Sequence, residues 1–429
     1  MTYKETLDYL FNALPMFQRV GATAFKKDLS NTIQLCTHLG NPERKFQAVH
    51  VAGTNGKGST SHAICAVLME AGYNVGLYTS PHLKSFTERI KVNGQEISED
   101  DVVNFVSINQ DFLEKVKPSF FEMTVGMAFW YFAKKGVDIA VVEVGMGGRF
   151  DSTNVIHPKL CVITNIGWDH MQFLGNTLTQ IAGEKGGIIK QGVPVVISQK
   201  QDEIKEVFIN LAKEKSAPIF FAEEEYEVKP STNFSTDLRN YTIRKGAFSY
   251  SVSMDLLGVY QGRNLPGILK SCEVLRTLGY NIKDSHIKSG LMQIGRLTGL
   301  KGRWQVLAQS PLVVCDTGHN EDGIQLLMDQ INNTSHEKLI MVLGMVNDKD
   351  VSKVMSLLPK TAYYFFCQAN IPRALEAATL AEKAFEMGLK GEIEKDVNVA
   401  IEKAKKKAGP KDMIFIGGST FVVAEIKDL

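Results

Sequence analysis

The sequence predicts an α/β protein, with an N-terminal parallel-sheet domain of the P-loop type followed by a smaller Rossmann-like C-terminal α/β domain. Three observations carry that expectation. Short apolar runs alternate with helical patterns along almost the whole chain, the signature of strand–helix–strand units. A glycine-rich turn at residues 53–58 separates the first such run from the helical pattern that follows it. A second alternating set starts near residue 300, just after Gly295, Gly299 and Gly302.

Taken in order, residues 48–52 form a buried strand, and residues 59–71 carry Ala63, Ile64, Val67 and Leu68 at helical spacing until Gly72 stops the helix. Further strands are predicted at 75–79, 138–142, 160–164 and 193–197. The polar stretch 227–246, with Tyr, Ile and Phe spaced between Asn, Ser and Gly, predicts an antiparallel hairpin appended to the first domain. The second set has strands at 312–315, 339–343, 363–367 and 413–416, with helices at 322–331, 374–387 and 397–407. The glycine cluster places a hinge at 295–302, hence domains at 1–297 and 298–429.

Composition narrows the function. The chain has 429 residues, with 48 Lys+Arg against 47 Asp+Glu, so its net charge of +1 gives no global field for nucleic acid or anionic lipid. A hydrophobic fraction of 44% suffices for buried cores. The Lys403, Lys405, Lys406 and Lys407 run closes a helix, where cations suit the macrodipole. Cys36, Cys65, Cys161, Cys272, Cys315 and Cys367 stand too far apart for a CxxC pair or zinc spacing and are expected as buried thiols in a reducing cytosol. The first residues carry acids where a signal peptide carries bases, and the longest mostly apolar stretch, 123–133, falls short of the roughly 20 residues that span a bilayer. The expected location is the cytoplasm, with neither nucleic acid nor membrane as partner.

The strongest chemical signal is Gly53-Thr54-Asn55-Gly56-Lys57-Gly58-Ser59, between a strand and a helix. Such a turn aims backbone N–H groups and a helix N-terminus at phosphate oxygens; Lys57 can reach the terminal phosphates and the Ser59 hydroxyl can help to place Mg²⁺. Its spacing departs from GxxxxGK[ST]. The run 138–143 is an apolar strand that delivers Glu143 at its C-terminal end, where ligands of open parallel sheets bind. Thr79-Ser80-Pro81-His82 and Asp169-His170 are expected at neighbouring strand ends, grouping a hydroxyl, a carboxylate and an imidazole around the cradle. A third cluster, Cys315-Asp316-Thr317-Gly318-His319-Asn320, follows the first strand of the second set, with Arg303 before it and Gln261 and Asn264 ahead of the hinge. Asp, His and Asn also cap helices and make turns. Paired with a phosphate cradle across a hinge, they suggest a nucleotide held between two domains that close for chemistry.

These residues resemble the folylpolyglutamate synthase and dihydrofolate synthase family, relatives of the Mur ligases. The resemblance runs through GTNGKGS at 53–59, TSPH at 79–82, ERI at 88–90, EVGMGGRFDSTN at 143–154 and DHMQFLG at 169–175. It continues through EKGGIIK at 184–190, QGRN at 261–264, GR at 302–303, DTGHN at 316–320, DKD at 348–350 and GGS at 417–419. It implies an N-terminal domain of the P-loop ATPase type that binds ATP and folate, and a C-terminal domain that binds glutamate and closes on ATP. It also implies ATP phosphates on residues 53–59, Mg²⁺ on Ser80, Glu143 and His170, and a lysine, here Lys185, that CO₂ can carbamylate to a further magnesium ligand. Asn264, Arg303, Asp316 and His319 would complete the nucleotide site; Pro81, His82 and Arg149 would meet the acceptor. Two departures stand beside contact residues: Gly187 where alanine is usual, and Thr317-Gly318 where Gly-Ala is usual.

The implied activity is an ATP-dependent acid–amino-acid ligase. ATP phosphorylates a carboxylate, the amine of L-glutamate attacks the acyl phosphate, and Lys57, Arg303, His170, Lys185 and Mg²⁺ serve the reacting centre. The acceptor is tetrahydrofolate, with dihydropteroate as a second candidate because Arg149 resembles the loop of members that use it; a solvated or interdomain Arg149 reads equally well. The resemblance implies a monomer. A cell-wall Mur ligase would need a UDP-binding domain ahead of the cradle, which begins at residue 53. A catalytically silent regulatory protein predicts a broken site, and a simple P-loop kinase predicts GK[ST] spacing and no second cluster.

Overall fold

The structure is a computed structural model that describes residues 1–13, 28–231, 237–347 and 351–429. It divides into two compact units: Met1–Asp255 with Gln261–Gly299, and Leu256–Tyr260 with Leu300–Leu429. The short segment Leu256–Tyr260 thus packs with the second unit while its chain neighbours on both sides belong to the first.

The first unit is built on an eight-stranded sheet. In chain order its strands are β1 Gln47–Ala52, β2 Val75–Tyr78, β3 Ile90–Val92, β4 Gln95–Glu96, β5 Ile139–Glu143, β6 Leu160–Ile163, β7 Val195–Ile197 and β8 Ile219–Phe221. They lie in the order β4-β3-β2-β5-β1-β6-β7-β8. From β2 to β8 the pairing is parallel, and β3 and β4 extend one edge antiparallel. β1, β2, β5, β6 and β7 are apolar because helices cover both faces of a parallel sheet. The helix Phe120–Lys134 takes up the longest apolar stretch and starts with a capping box from Ser119 and Glu122. Its Phe129 and Phe132 join Tyr78, Phe105, Ala140 and Val142 in one core cluster.

The predicted hairpin at 227–246 is instead part of a three-stranded antiparallel sheet, β11-β10-β9, of β9 Glu227–Pro230, β10 Arg239–Lys245 and β11 Phe248–Met254. The tight turn lies at Gly246, φ +56°, at the very end of the predicted span, so that its second arm, β11, continues beyond it. Residues 232–236 lie outside the described residues.

The second unit carries a six-stranded sheet, β12-β13-β17-β14-β15-β16, from β12 Gln305–Gln309, β13 Leu312–Cys315, β14 Leu339–Leu343, β15 Tyr363–Phe366, β16 Lys390–Ile393 and β17 Met413–Gly417. All pairs are parallel except β12–β13. The helix Val397–Lys407 places three lysines in its last turn, with Lys407 Nζ 3.8 Å from the Tyr363 ring centroid. All six cysteines are free and buried. Among the described residues, no helix is long and apolar enough to cross a membrane.

Candidate active site

The cradle in the first unit grows directly from β1. After Ala52 the chain turns through Gly53 at φ +143° and Gly56 at φ +84°, and Gly56 caps the helix Lys57–Glu70. Both glycines are required by neighbours as well as by backbone angle: a Cβ on Gly53 would lie 1.8 Å from Thr164 Oγ1, and one on Gly56 would lie 2.2 Å from Asn264 Oδ1. The loop is pinned from β6. Thr54 N donates to Asn165 O at 2.8 Å, Asn55 N to Asn165 Oδ1 at 2.8 Å, and Thr164 Oγ1 to Asn55 O at 2.6 Å. Thr54 Oγ1 accepts from Gly167 N at 2.9 Å. Gln261, fully buried, donates its amide to Ser59 Oγ at 3.1 Å and accepts from Asn264 Nδ2 at 2.8 Å. Gly58 lies in the first turn of that helix.

Two amines converge on this loop. Lys57 Nζ folds back to donate to Gly53 O and Thr54 O, both at 3.0 Å, so it neutralises the carbonyls of its own turn rather than extending from it. Lys185 Nζ, from the helix Leu178–Gly186, donates to the same Gly53 O at 2.8 Å. Burial, and then the neighbouring Lys57 ammonium, push the Lys185 amine down to about 7, against the pull of Asp169 and Asp151.

Glu143 ends β5 as a nearly buried carboxylate, and Ser80 N, just beyond β2, donates to its Oε2 at 3.4 Å. His170 is placed differently from the expectation. β6 ends at Ile163, and His170 lies in the loop beyond it at φ +48°, where it caps the short helix Met171–Leu174 and sits 3.6 Å from Asp169 Oδ2. Thr164, just past the strand, keeps its backbone N–H on Ala52 O and gives its hydroxyl to Asn55 O. His82, next to Pro81, accepts from Arg89 Nε at 2.7 Å; burial and that guanidinium push it down to about 3.

The loop 144–151 is organised by Asp151. Its carboxylate accepts from Met146 N at 2.8 Å and Thr153 N at 3.0 Å, and Thr153 Oγ1 in turn meets His50 Nε2 at 2.9 Å. Arg149 is half-exposed, with Nε 3.7 Å from Glu184 Oε1. Its backbone packs so tightly on the helix end that a Cβ on Gly187 would lie 2.5 Å from Arg149 Cβ and 2.6 Å from its Cα. That contact gives a steric reason for glycine at 187.

In the second unit Asp316 follows β13. Its nearly buried carboxylate accepts from Tyr260 Oη at 2.5 Å, Trp304 N at 2.6 Å and Gly318 N at 2.7 Å. Burial raises this carboxyl, opposed by Arg303 and these donors. Thr317 Oγ1 accepts from Arg303, which also donates to Gly302 O at 3.1 Å. His319 Nδ1 is 3.0 Å from Thr317 O, and Asn320 caps the helix Glu321–Asn332. Asp348, Lys349 and Asp350 lie outside the described residues. Sequence reasoning left out Thr164, Asn165, Asp151 and Tyr260. The polar Thr164-Asn165 pair directly after an apolar strand was a usable signal; nothing local marked Tyr260.

The Mur ligase middle-domain family matches residues 51–269, and the Mur ligase glutamate-ligase-domain family matches residues 302–420. A dihydrofolate synthase/folylpolyglutamate synthase of Bacillus subtilis (strain 168) is 35% identical over 420 residues, 94% of each chain. The chain belongs to the folylpolyglutamate synthase/dihydrofolate synthase family. The folylpolyglutamate synthase of Lacticaseibacillus casei is 32% identical over 389 residues, 88% of each chain. The solved structure of Escherichia coli FolC in complex with DHPP and ADP aligns with a TM-score of 0.86 at 26% identity, covering 99% of this chain and 97% of that one.

Proposed function

We propose that the chain joins L-glutamate to the carboxylate of tetrahydrofolate, and also of dihydropteroate, at the expense of ATP. The observation that carries this reading is the cradle 53–59 backed by Glu143 and Lys185, in a chain that aligns almost end to end with a relative solved with ADP and DHPP.

A carboxylate is a poor acyl donor, so its oxygen first takes the γ-phosphoryl group and ADP leaves. The glutamate amine then attacks the acyl carbon, phosphate departs with one former carboxylate oxygen, and the amine's proton passes to solvent. Backbone N–H groups of the cradle and the N-terminus of the helix Lys57–Glu70 hold the phosphates. On nucleotide binding, Lys57 exchanges its two carbonyl partners for phosphate oxygens and offsets the charge that develops there. Arg303, Asp316 and His319 are the second unit's proposed contribution to nucleotide binding, with Asn264 of the first. Arg149, Pro81 and His82 are assigned to the acceptor.

Mg²⁺, when bound, spreads positive charge over the β- and γ-phosphates. The donors fit a hard cation in part: the Glu143 carboxylate and Ser80 hydroxyl are oxygen ligands, whereas the His170 imidazole is softer. Among the described residues, no group of three or more His, Cys, Asp or Glu side chains converges as a metal site. The set therefore relies on Ser80 and on Lys185 as a carbamate. A neutral amine that attacks CO₂ and releases a proton becomes such an anionic ligand, and the low proton affinity of Lys185 supports that modification. We place the enzyme in the cytoplasm as a monomer; six unpaired thiols accord with a reducing compartment.

The test is ATP-dependent incorporation of labelled L-glutamate with Mg²⁺ and bicarbonate, offering dihydropteroate and tetrahydrofolate separately. Incorporation with both is expected. Incorporation with tetrahydrofolate alone removes dihydropteroate and the role of Arg149, and incorporation with neither overturns the assignment.

A further inference from the structure

The segment Leu256–Tyr260 is the feature that the reading above leaves unused. It belongs to the second unit although Asp255 and Gln261 on either side belong to the first. The nearly buried Gln330 holds it through both ends of one amide: Val259 N donates to Gln330 Oε1 at 2.7 Å, and Gln330 Nε2 donates to Leu257 O at 3.1 Å. Leu257 and Tyr260 pack against the second unit's core. At its end, Tyr260 Oη donates to Asp316 Oδ2 at 2.5 Å. One peptide bond later, Gln261 Nε2 donates to Ser59 Oγ at 3.1 Å in the first turn of the cradle helix. Two polar groups assigned to the nucleotide are therefore each set by one residue of a single dipeptide.

We infer that Tyr260 is a positioning residue for ATP: its hydroxyl fixes the Asp316 carboxylate, and it does so from a segment clamped by Gln330 and joined directly to the residue that fixes Ser59. Without the Tyr260 hydroxyl, Oδ2 keeps Trp304 N and Oδ1 keeps Gly318 N, but the buried carboxylate loses the donor that shares Oδ2, so its position is less tightly held and its charge less well satisfied. Tyr260 keeps its hydroxyl on Asp316, so it acts through that carboxylate. The inference rests on the reading that Asp316 serves the nucleotide.

The experiment compares Tyr260→Phe, Gln330→Met and Asp316→Asn in steady-state assays of the full-length enzyme, with melting temperatures alongside. Tyr260→Phe keeps the ring in its packing and is expected to raise KM for ATP about tenfold, with kcat at saturating ATP within about threefold and KM for folate and glutamate within about twofold. Gln330→Met, which loosens the segment, is expected to move KM for ATP in the same direction. Combining Tyr260→Phe with Asp316→Asn is expected to add nothing to Asp316→Asn alone. A purely structural Tyr260 would lower the melting temperature and scale all rates equally with KM unchanged, which overturns the inference. If Asp316→Asn raises KM for ATP while Tyr260→Phe and Gln330→Met do not, the positioning role fails alone. If Asp316→Asn itself leaves ATP affinity untouched, the nucleotide reading of Asp316 fails and the inference falls with it.

Discussion

Gly53→Ala is the most searching perturbation of the cradle. At φ +143° an L-residue is held far from its favoured backbone, a cost of about 1–2 kcal/mol or more. The new Cβ would also stand 1.8 Å from Thr164 Oγ1 and 3.1 Å from Thr164 N, so β6 or the loop must move; overpacking of this kind costs about 1–3 kcal/mol. The sum, about 2–5 kcal/mol, corresponds to a fall of roughly 3–8 °C in the melting temperature of that unit. The loop cannot yield without breaking the Asn55 bonds to Asn165 and Thr164, so its N–H groups lose their common aim. Calorimetric titration with MgATP is therefore expected to show at least a 30-fold weaker Kd. Adding Thr164→Ala removes the 1.8 Å contact but not the backbone strain, and is expected to recover about half of the lost stability. Wild-type melting and wild-type Kd in Gly53→Ala would refute the reasoning; no recovery in the double variant would refute the part assigned to Thr164.

Lys57→Met is expected to leave the fold within about 2 kcal/mol of wild type while reducing ATP-dependent turnover at least 100-fold, since only hydrogen bonds to Gly53 O and Thr54 O are lost from the unliganded loop; turnover within a few-fold of wild type counts against its role. Gly187→Ala is expected to cost about 1–3 kcal/mol in urea titrations, because its Cβ would press on the Arg149 backbone; an unchanged midpoint refutes the close packing. His50 predicts an acid sensitivity. Burial holds its folded pKa at about 3, below the ordinary 6.5, so the unfolded chain binds the proton first as pH falls. Its contribution is complete above about pH 6.5 and is lost on acidification at about 1.4 kcal/mol per pH unit until the folded group titrates. His82, also held at about 3, acts in the same direction. Urea midpoints measured from pH 7 to pH 5 should fall steeply in the wild type and less in His50→Gln; equal slopes would contradict the buried neutral imidazole.

The parts of the fold that were legible are those in which local pattern and tertiary role coincide. The strands Leu312–Cys315 and Leu339–Leu343 and the helix Val397–Lys407 lie where the sequence places them, because each is an uninterrupted apolar run or a clean amphipathic repeat. β8, β12 and β16 were missed for the opposite reason: they are short or edge strands, partly exposed, and carry no buried alternation. The cradle was legible because glycines at strand-to-helix turns have few other uses, and Glu143 because an apolar run that ends in an acid is rare. His170 was assigned to a strand end, but the strand stops at Ile163 and the chain beyond it is a loop in which the polar Thr164 and Asn165 pin the cradle. The turning back of Lys57 and the pairings of Gln261 with Ser59 and Tyr260 with Asp316 depend on contacts remote in sequence, which periodicity does not encode.

Transfer of oxygen from the acceptor to phosphate tests the central claim most directly. The enzyme is given ATP, Mg²⁺, L-glutamate and tetrahydrofolate whose reacting carboxylate carries ¹⁸O, and the inorganic phosphate released is analysed by mass spectrometry. An acyl phosphate formed on the cradle predicts one ¹⁸O atom in each phosphate released with product; unlabelled phosphate alongside new amide would contradict the account.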